Sequence, residues 1–192
     1  QCGVAYLRDC GLLGPKTSLA HCTWFGDEDI SICAETGTSV CHNASSNLRL
    51  RNGIAPVARM LELGVNVGIG MDSFSLNSDD DILQEMRLVE NIHHMPRGGV
   101  AYEYCPSSAD VFRMATLGGA RASTFDKEIG ALLVGRQADA VLIDYEALET
   151  GYPYFVNDFP HGGGRYIVES QGYVATIVGG QPIIENGKHT GK

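Results

Sequence analysis

Three times in the first half of the chain, a short β-like run ends on a polar side chain and gives way to a helical run. This alternation constrains the architecture more than any other feature, because parallel strands are joined by crossover helices. Thr17-Ser18-Leu19-Ala20 ends at His21, and a helix follows from about Asp27. Acidic residues open that helix, Ile30, Cys33 and Ala34 give it helical spacing, and Gly37 ends it. Thr38-Ser39-Val40-Cys41 ends at His42-Asn43; after a polar loop, a helix runs from about Ala55 to Leu63. Pro56 suits its first turn, Val57, Met60 and Leu61 share a face, and Gly64 stops it. The third run, Val65 to Met71, ends at Asp72. Its helix opens on Asp79, Asp80 and Asp81 at the positive helix end, turns Ile82, Leu83, Met86 and Val89 inward, and stops at Pro96. Ser107-x-x-Asp110 reads as a capping box for a last helix ending at Gly118-Gly119. The pattern predicts parallel α/β structure up to about Thr124.

Beyond Phe125 the style changes to β. Ala140-Val141-Leu142-Ile143 reads as a short buried strand, and Val174–Val178 and Gln181–Glu185 flank Gly179-Gly180 as a hairpin. Between them Gly151 to Gly164 has no periodicity. The expected domains are therefore 1–124 and 125–192, the second small and all-β.

Composition bounds the function. A net charge of −9 without a Lys/Arg cluster argues against a nucleic-acid surface. No run of eighteen apolar residues is present to cross a membrane. The six cysteines (Cys2, Cys10, Cys22, Cys33, Cys41 and Cys105) form no Cys-x-x-Cys pair, and reduced thiols in a cytoplasmic protein are expected. Gln1-Cys2-Gly3 has neither an initiator Met nor a signal-peptide pattern, and reads as a removed start or an excised piece.

His21, His42 and Asp72 each follow a strand, and in parallel α/β barrels the C-terminal strand ends form the face where chemistry occurs. By position alone, two imidazoles and a carboxylate suit a divalent transition metal. A bland reading stands beside this for each: a strand-end His as a hydrogen-bonded core residue, Asp72 as a loop cap.

The residues around these positions resemble a known family along nearly the whole chain. Leu19-Ala20-His21-Cys22 with Trp24, Ala34-Glu35-Thr36-Gly37-Thr38-Ser39-Val40-Cys41-His42-Asn43, Ser46-Asn47-Leu48-Arg49-Leu50, Gly64 to Asp72 and Glu85-Met86-Arg87-Leu88 are similar to the amidohydrolase superfamily. So are Gly118-Gly119-Ala120-Arg121-Ala122 and Ile129-Gly130 through Ala138-Asp139-x-Val141-Leu142. The likeness is to its cytosine-deaminase-like and triazine-hydrolase-like branch; the tail from Asn157 to Gly179 also resembles D-aminoacylases.

The resemblance implies a partial (β/α)₈ TIM barrel, its last three strands and their helices, followed by the C-terminal half of a small β-sandwich domain. It makes Asp72 a metal ligand that accepts a proton from the attacking water. It makes His21 the residue that polarises the bond under attack. His42 and Asn47 fall where the family shapes its substrate pocket; Trp24 is a further pocket candidate, with simple packing as its bland alternative. The metal implied is divalent, zinc first and iron second, with most ligands missing, since the sequence holds no His-x-His and no His-x-x-Glu. The parent activity implied is hydrolysis of a C–N bond, deaminating or dechlorinating a nitrogen heterocycle, through metal-activated water. N-acyl amide hydrolysis and a catalytically silent, self-associating module are the alternatives. A ring of eight βα units needs about 250 residues, so the isolated chain is expected to be inactive. A sheet cut after three strands would leave edges at Thr17–Ala20 and Val65–Met71 unpaired and Val40, Val67 and Ile69 bare, favouring a homo-oligomer.

Several motifs lead nowhere. His161-Gly162-Gly163-Gly164 resembles an oxyanion-hole segment, but no Gly-x-Ser-x-Gly elbow accompanies it. Gly68-x-Gly70 reads as packing rather than phosphate binding, and His93-His94 as an unremarkable helix end.

Overall fold

Ser18–Ala20 (β1), Ser39–His42 (β2) and Val67–Ile69 (β3) form a three-stranded sheet in the order β1-β2-β3. Both pairings are parallel, with Leu19 opposite Val40 and Val40 opposite Val67. The structure, a computed structural model, describes residues 3–73, 81–94, 105–134, 136 and 139–191. They fall into two compact units, Gln1–Ala131 and Leu132–Lys192. The first reaches past Thr124 because Gly130 packs on the preceding helix: a side chain there would meet Ala120 and the Leu117 backbone.

In the first unit the helices are Gly3–Asp9 (α1), Asp27–Thr36 (α2), Ala44–Arg49 (α3), Val57–Glu62 (α4) and Ile82–His93 (α5). Ser108–Arg113 (α6), a π-helical turn Met114–Gly118 and Gly119–Ala122 (α7) follow one another without a break. The expected caps are present. Asp29 accepts from the Gly26 N–H, Gly37 ends α2 at φ 72°, Asp81 accepts from Leu83 and Gln84, and Ser107 and Asp110 close a reciprocal box. Asp79, Asp80 and Pro96 lie outside the described residues. The core joins Val40 and Val67 to Ile30, Met60, Val89 and Met114, each buried side chain contributing about 1.5–3 kcal/mol.

The structure corrects the sequence reading of this unit in five places. The expected polar loop after Asn43 is helix α3, whose buried residues are Ala44, Ser46 and Asn47; a helix burying polar side chains shows no apolar periodicity. The Gly3–Asp9 helix was not expected either. On α5, Leu83 is 67 % exposed and Glu85 is buried in its place. Gly118-Gly119 does not end a helix; it lets the rod press against β3, where a side chain on Gly118 would collide with Val67 O and one on Gly68 would meet Gly119 Cα at 3.0 Å. Finally, Val40 and Val67 are not bare, being 0 % and 2 % exposed under the helices.

The second unit is antiparallel: Ala140–Ile143 (β4), Glu149–Thr150 (β5), Tyr154–Val156 (β6), Arg165–Ile167 (β7), Ser170–Gln171 (β8), Tyr173–Val178 (β9), Gln181–Glu185 (β10) and Lys188–His189 (β11). One sheet runs β11-β10-β9-β4, with β5–β8 and β6–β7 as separate pairs. The β9–β10 hairpin turns at Gly179-Gly180, both at positive φ. The stretch without periodicity contains β6 and a 3₁₀ turn, Pro160–Gly162. None of the described residues of this unit is buried. Leu142, expected inside, is 56 % exposed. No helix among the described residues is long and apolar enough to cross a membrane.

Candidate active site

Parallel strands put the residues that follow them at one edge of the sheet. His21 lies directly after β1, its N–H bonded to Cys41 O; His42 is the last residue of β2; Asp72 follows β3 after Gly70, whose N–H bonds to His42 O. The structure therefore brings the three together. His21 and Asp72 both sit in the left-handed region, at φ 68° and 63°, a conformation that costs L-residues energy and clusters at functional sites.

His21 Nε2 stands 3.9 Å from Asp72 Oδ2, with the two side chains 35 % and 30 % exposed. Each is held from helix α3. Asn47 Oδ1 is 2.8 Å from His21 Nδ1, and Ser46 Oγ donates to Asp72 Oδ2 at 2.6 Å. An amide oxygen only accepts, so Nδ1 carries the proton and Nε2 is the nitrogen turned toward the carboxylate.

His42 lies beneath, 0 % exposed. Burial, with His93 and His21 adding repulsion, pushes its pKa down from 6.5 to about 3, so the ring is neutral. Its Nε2 is 3.3 Å from His93 Nε2, and its Nδ1 is buried without a hydrogen-bond partner among the described residues. A buried lone pair is tolerated better than a buried unpaired N–H, which favours the tautomer in which His42 Nε2–H donates to His93. Sequence reasoning set His93 aside as a helix end; only the register of α5 against β2 brings the two rings together, with centroids 5.3 Å apart.

Asn47 is likewise enclosed, 1 % exposed, with Nδ2 unpartnered among the described residues. Trp24 is at the other extreme, 86 % exposed. It borders an open cavity of about 730 Å³ with Leu7, Leu19, Cys22 and Phe25. Burial also raises two thiols: Cys22 is pushed up to about 12, and Cys41, with Asp72 adding to the effect, rises as well.

Asp72 offers one carboxylate to a cation. Among the described residues, no three His, Cys, Asp or Glu groups converge to hold a metal ion, whereas catalytic zinc takes three protein ligands. What the arrangement provides is an accessible carboxylate beside an oriented imidazole, a pair able to accept and pass a proton.

Known proteins resemble the chain over most of its length. It is 40 % identical over 141 residues to the 5'-deoxyadenosine deaminase of Methanothermobacter thermautotrophicus, a match covering 73 % of this chain and 32 % of that enzyme. The 5-methylthioadenosine/S-adenosylhomocysteine deaminase of Thermoanaerobacter pseudethanolicus is 33 % identical over 188 residues, covering 95 % and 41 %. The chain thus spans about a third to two fifths of the length of these relatives. Among solved structures, a zinc-bound adenosine deaminase from Xanthomonas campestris aligns with TM-score 0.71 and 28 % identity, covering 100 % of this chain and 42 % of that one. The zinc complex of an atrazine chlorohydrolase from Arthrobacter aurescens TC1 aligns with TM-score 0.70 and 26 % identity, covering 97 % and 40 %. The amidohydrolase family model matches residues 2–181. The chain belongs to the amidohydrolase family.

Proposed function

We propose that this chain carries part of the active site of a hydrolase that deaminates an adenine nucleoside, replacing the ring amino group with oxygen from water and releasing ammonia. The observation that carries the reading is the His21–Asp72 pair, 3.9 Å apart at the sheet edge and each held from α3. The named relatives act on such nucleosides. Dechlorination of a triazine is the neighbouring reaction, supported by the atrazine chlorohydrolase likeness.

In this reading β1, β2 and β3 are the sixth, seventh and eighth strands of a (β/α)₈ barrel, and the β unit is the C-terminal half of a small sandwich. Asp72 takes the proton of the attacking water and returns it to the leaving nitrogen, while His21 Nε2 faces the group under attack and, when it holds a proton, donates to the tetrahedral intermediate. Asn47 and His42 serve from beneath, orienting His21 and walling the floor, and Trp24 borders the entrance. A divalent metal, zinc by analogy with the solved relatives, supplies water acidified toward neutral pH when bound. Asp72 would be a ligand to it.

A chimera tests this. The chain replaces the matching segment of the Methanothermobacter enzyme, and ammonia release from 5'-deoxyadenosine is followed. Release that Asp72→Asn or His21→Ala lowers by about 10³-fold or more supports the reading; unchanged rates in both variants sink it.

A further inference from the structure

We propose that Glu85 is a positioning residue for both members of the reacting pair, acting through helix α3. The stripe that α5 buries includes Val89 and Ile92, and Glu85 occupies a place in it where an apolar residue would be ordinary. It is 2 % exposed. Enclosing a carboxylate is unfavourable unless donors meet it. Its Oε1 accepts from the backbone N–H of Ser45, 2.9 Å away and forty residues earlier in the chain.

Ser45 is the second residue of α3, and the two residues after it are Ser46 and Asn47, which hold Asp72 and His21. Helix α3 has only six residues, and its N-cap residue, Asn43, makes no side-chain capping bond. A helix this short has little stability of its own, so what fixes it comes from outside. A carboxylate on a first-turn N–H is electrostatically favourable, and Glu85 supplies it from the neighbouring helix. The path is short: Glu85 to Ser45, then Ser46 to Asp72 and Asn47 to His21. Loss of the first contact lets both side chains drift together. Misplacement of reacting groups by about 1 Å can cost on the order of 10²-fold in rate.

This inference rests on the reading of His21 and Asp72 as the reacting pair for its significance, so the test uses a readout independent of turnover. The full chain is labelled with ¹⁵N-histidine, and the His21 Nδ1–H is assigned by its loss in His21→Gln. Glu85→Leu restores an apolar stripe and removes the acceptor, Glu85→Gln keeps an acceptor oxygen, and Glu85→Asp keeps the charge but draws the oxygen back. The expected result is a protected Nδ1–H in the wild type and Glu85→Gln, and exchange about tenfold faster or more in Glu85→Leu and Glu85→Asp, with thermal stability of Glu85→Leu at or above wild type. Protection retained in Glu85→Asp, or in a folded Glu85→Leu, overturns the proposal. If Glu85→Leu does not fold, the Glu85→Asp and Glu85→Gln pair decides alone. An inactive chimera would count against the proposed function and leave this result standing.

Discussion

Asn47 Oδ1 meets His21 Nδ1 at 2.8 Å, and that contact decides which ring nitrogen faces Asp72. Metal-site and catalytic histidines depend on such partners, and their removal typically costs 10–100-fold. Asn47→Ala in the chimera should therefore lower kcat by about 10–100-fold, with a smaller change in KM because Asn47 is enclosed and 1 % exposed. Steady-state kinetics check this. A rise in KM with kcat unchanged would instead make Asn47 a substrate contact.

His42 should make the first unit acid-sensitive. Its folded pKa of about 3 lies below the ordinary 6.5, so the unfolded chain takes up the proton first. The contribution is complete above pH 6.5 and is lost as pH falls from 6.5 toward 3. Between pH 7 and 5 the loss is about 2 kcal/mol. His93 and His21 are the titratable neighbours named against the ring, and both oppose its protonation. Urea denaturation followed by circular dichroism, in wild type and His42→Gln, isolates the effect from the carboxylates common to both. The two stability curves should converge or cross as pH falls; parallel curves would contradict the assignment.

Thiol reactivity should divide by burial. Cys10 is exposed, whereas Cys22 and Cys33 are buried, and the Cys22 thiol is pushed up to about 12. The thiolate is the reactive form, so at pH 8 a maleimide should modify Cys10 within minutes and leave Cys22 intact until urea is added. Peptide mapping by mass spectrometry reads the outcome. Prompt labelling of Cys22 in the native chain would show that the β1–α2 connection opens.

A side chain at Gly118 would collide with Val67 O, a backbone atom with no freedom to yield. Gly118→Ala should cost about 3 kcal/mol, at the upper end for overpacking. Gly14→Ala, with open space around it, should stay within about 0.5 kcal/mol of wild type. Equal melting temperatures for the two variants would mean that helix and strand do not touch there.

The parts of this molecule legible in its sequence are those with local causes. The β1 to β3 alternation, the Gly37 stop, the Ser107–Asp110 box and the Gly179-Gly180 turn all depend on residues within a few positions of one another. Contacts made across the chain were hidden. Nothing near Glu85 in sequence announces Ser45, and nothing near His93 announces His42, because both pairings depend on how α5 lies against β2 and α3. Helix α3 escaped for a related reason: its inward face is Ser46 and Asn47, which read as loop residues until Asp72 and His21 are brought to them. Gly118-Gly119 was misread as a stop because glycine ends helices and also admits close packing, and only the position of β3 separates these.

The final prediction concerns assembly. β1 and β3 are the outer strands of the parallel sheet, with no further strand paired to either among the described residues. Neither carries a Pro or a charged residue, the usual protection of an exposed edge. Ser18 and Ala20 of β1 are exposed, and the apolar cavity bordered by Leu19, Trp24 and Phe25 lies beside that strand. In the second unit, β4 is also an outer strand, and Val141, Leu142 and Ile143 are 43–56 % exposed. Monomers rarely leave apolar surface beyond a few hundred Å² uncovered, and two-fold closure limits growth. The chain should therefore self-associate at micromolar concentration, most simply as a dimer. Trp24→Lys together with Leu142→Lys should shift it toward monomer, because a charge on a strand edge or apolar patch disfavours pairing. Light scattering coupled to size exclusion decides: a folded, monodisperse wild-type monomer would refute the prediction and would require these edges to be covered from within the chain.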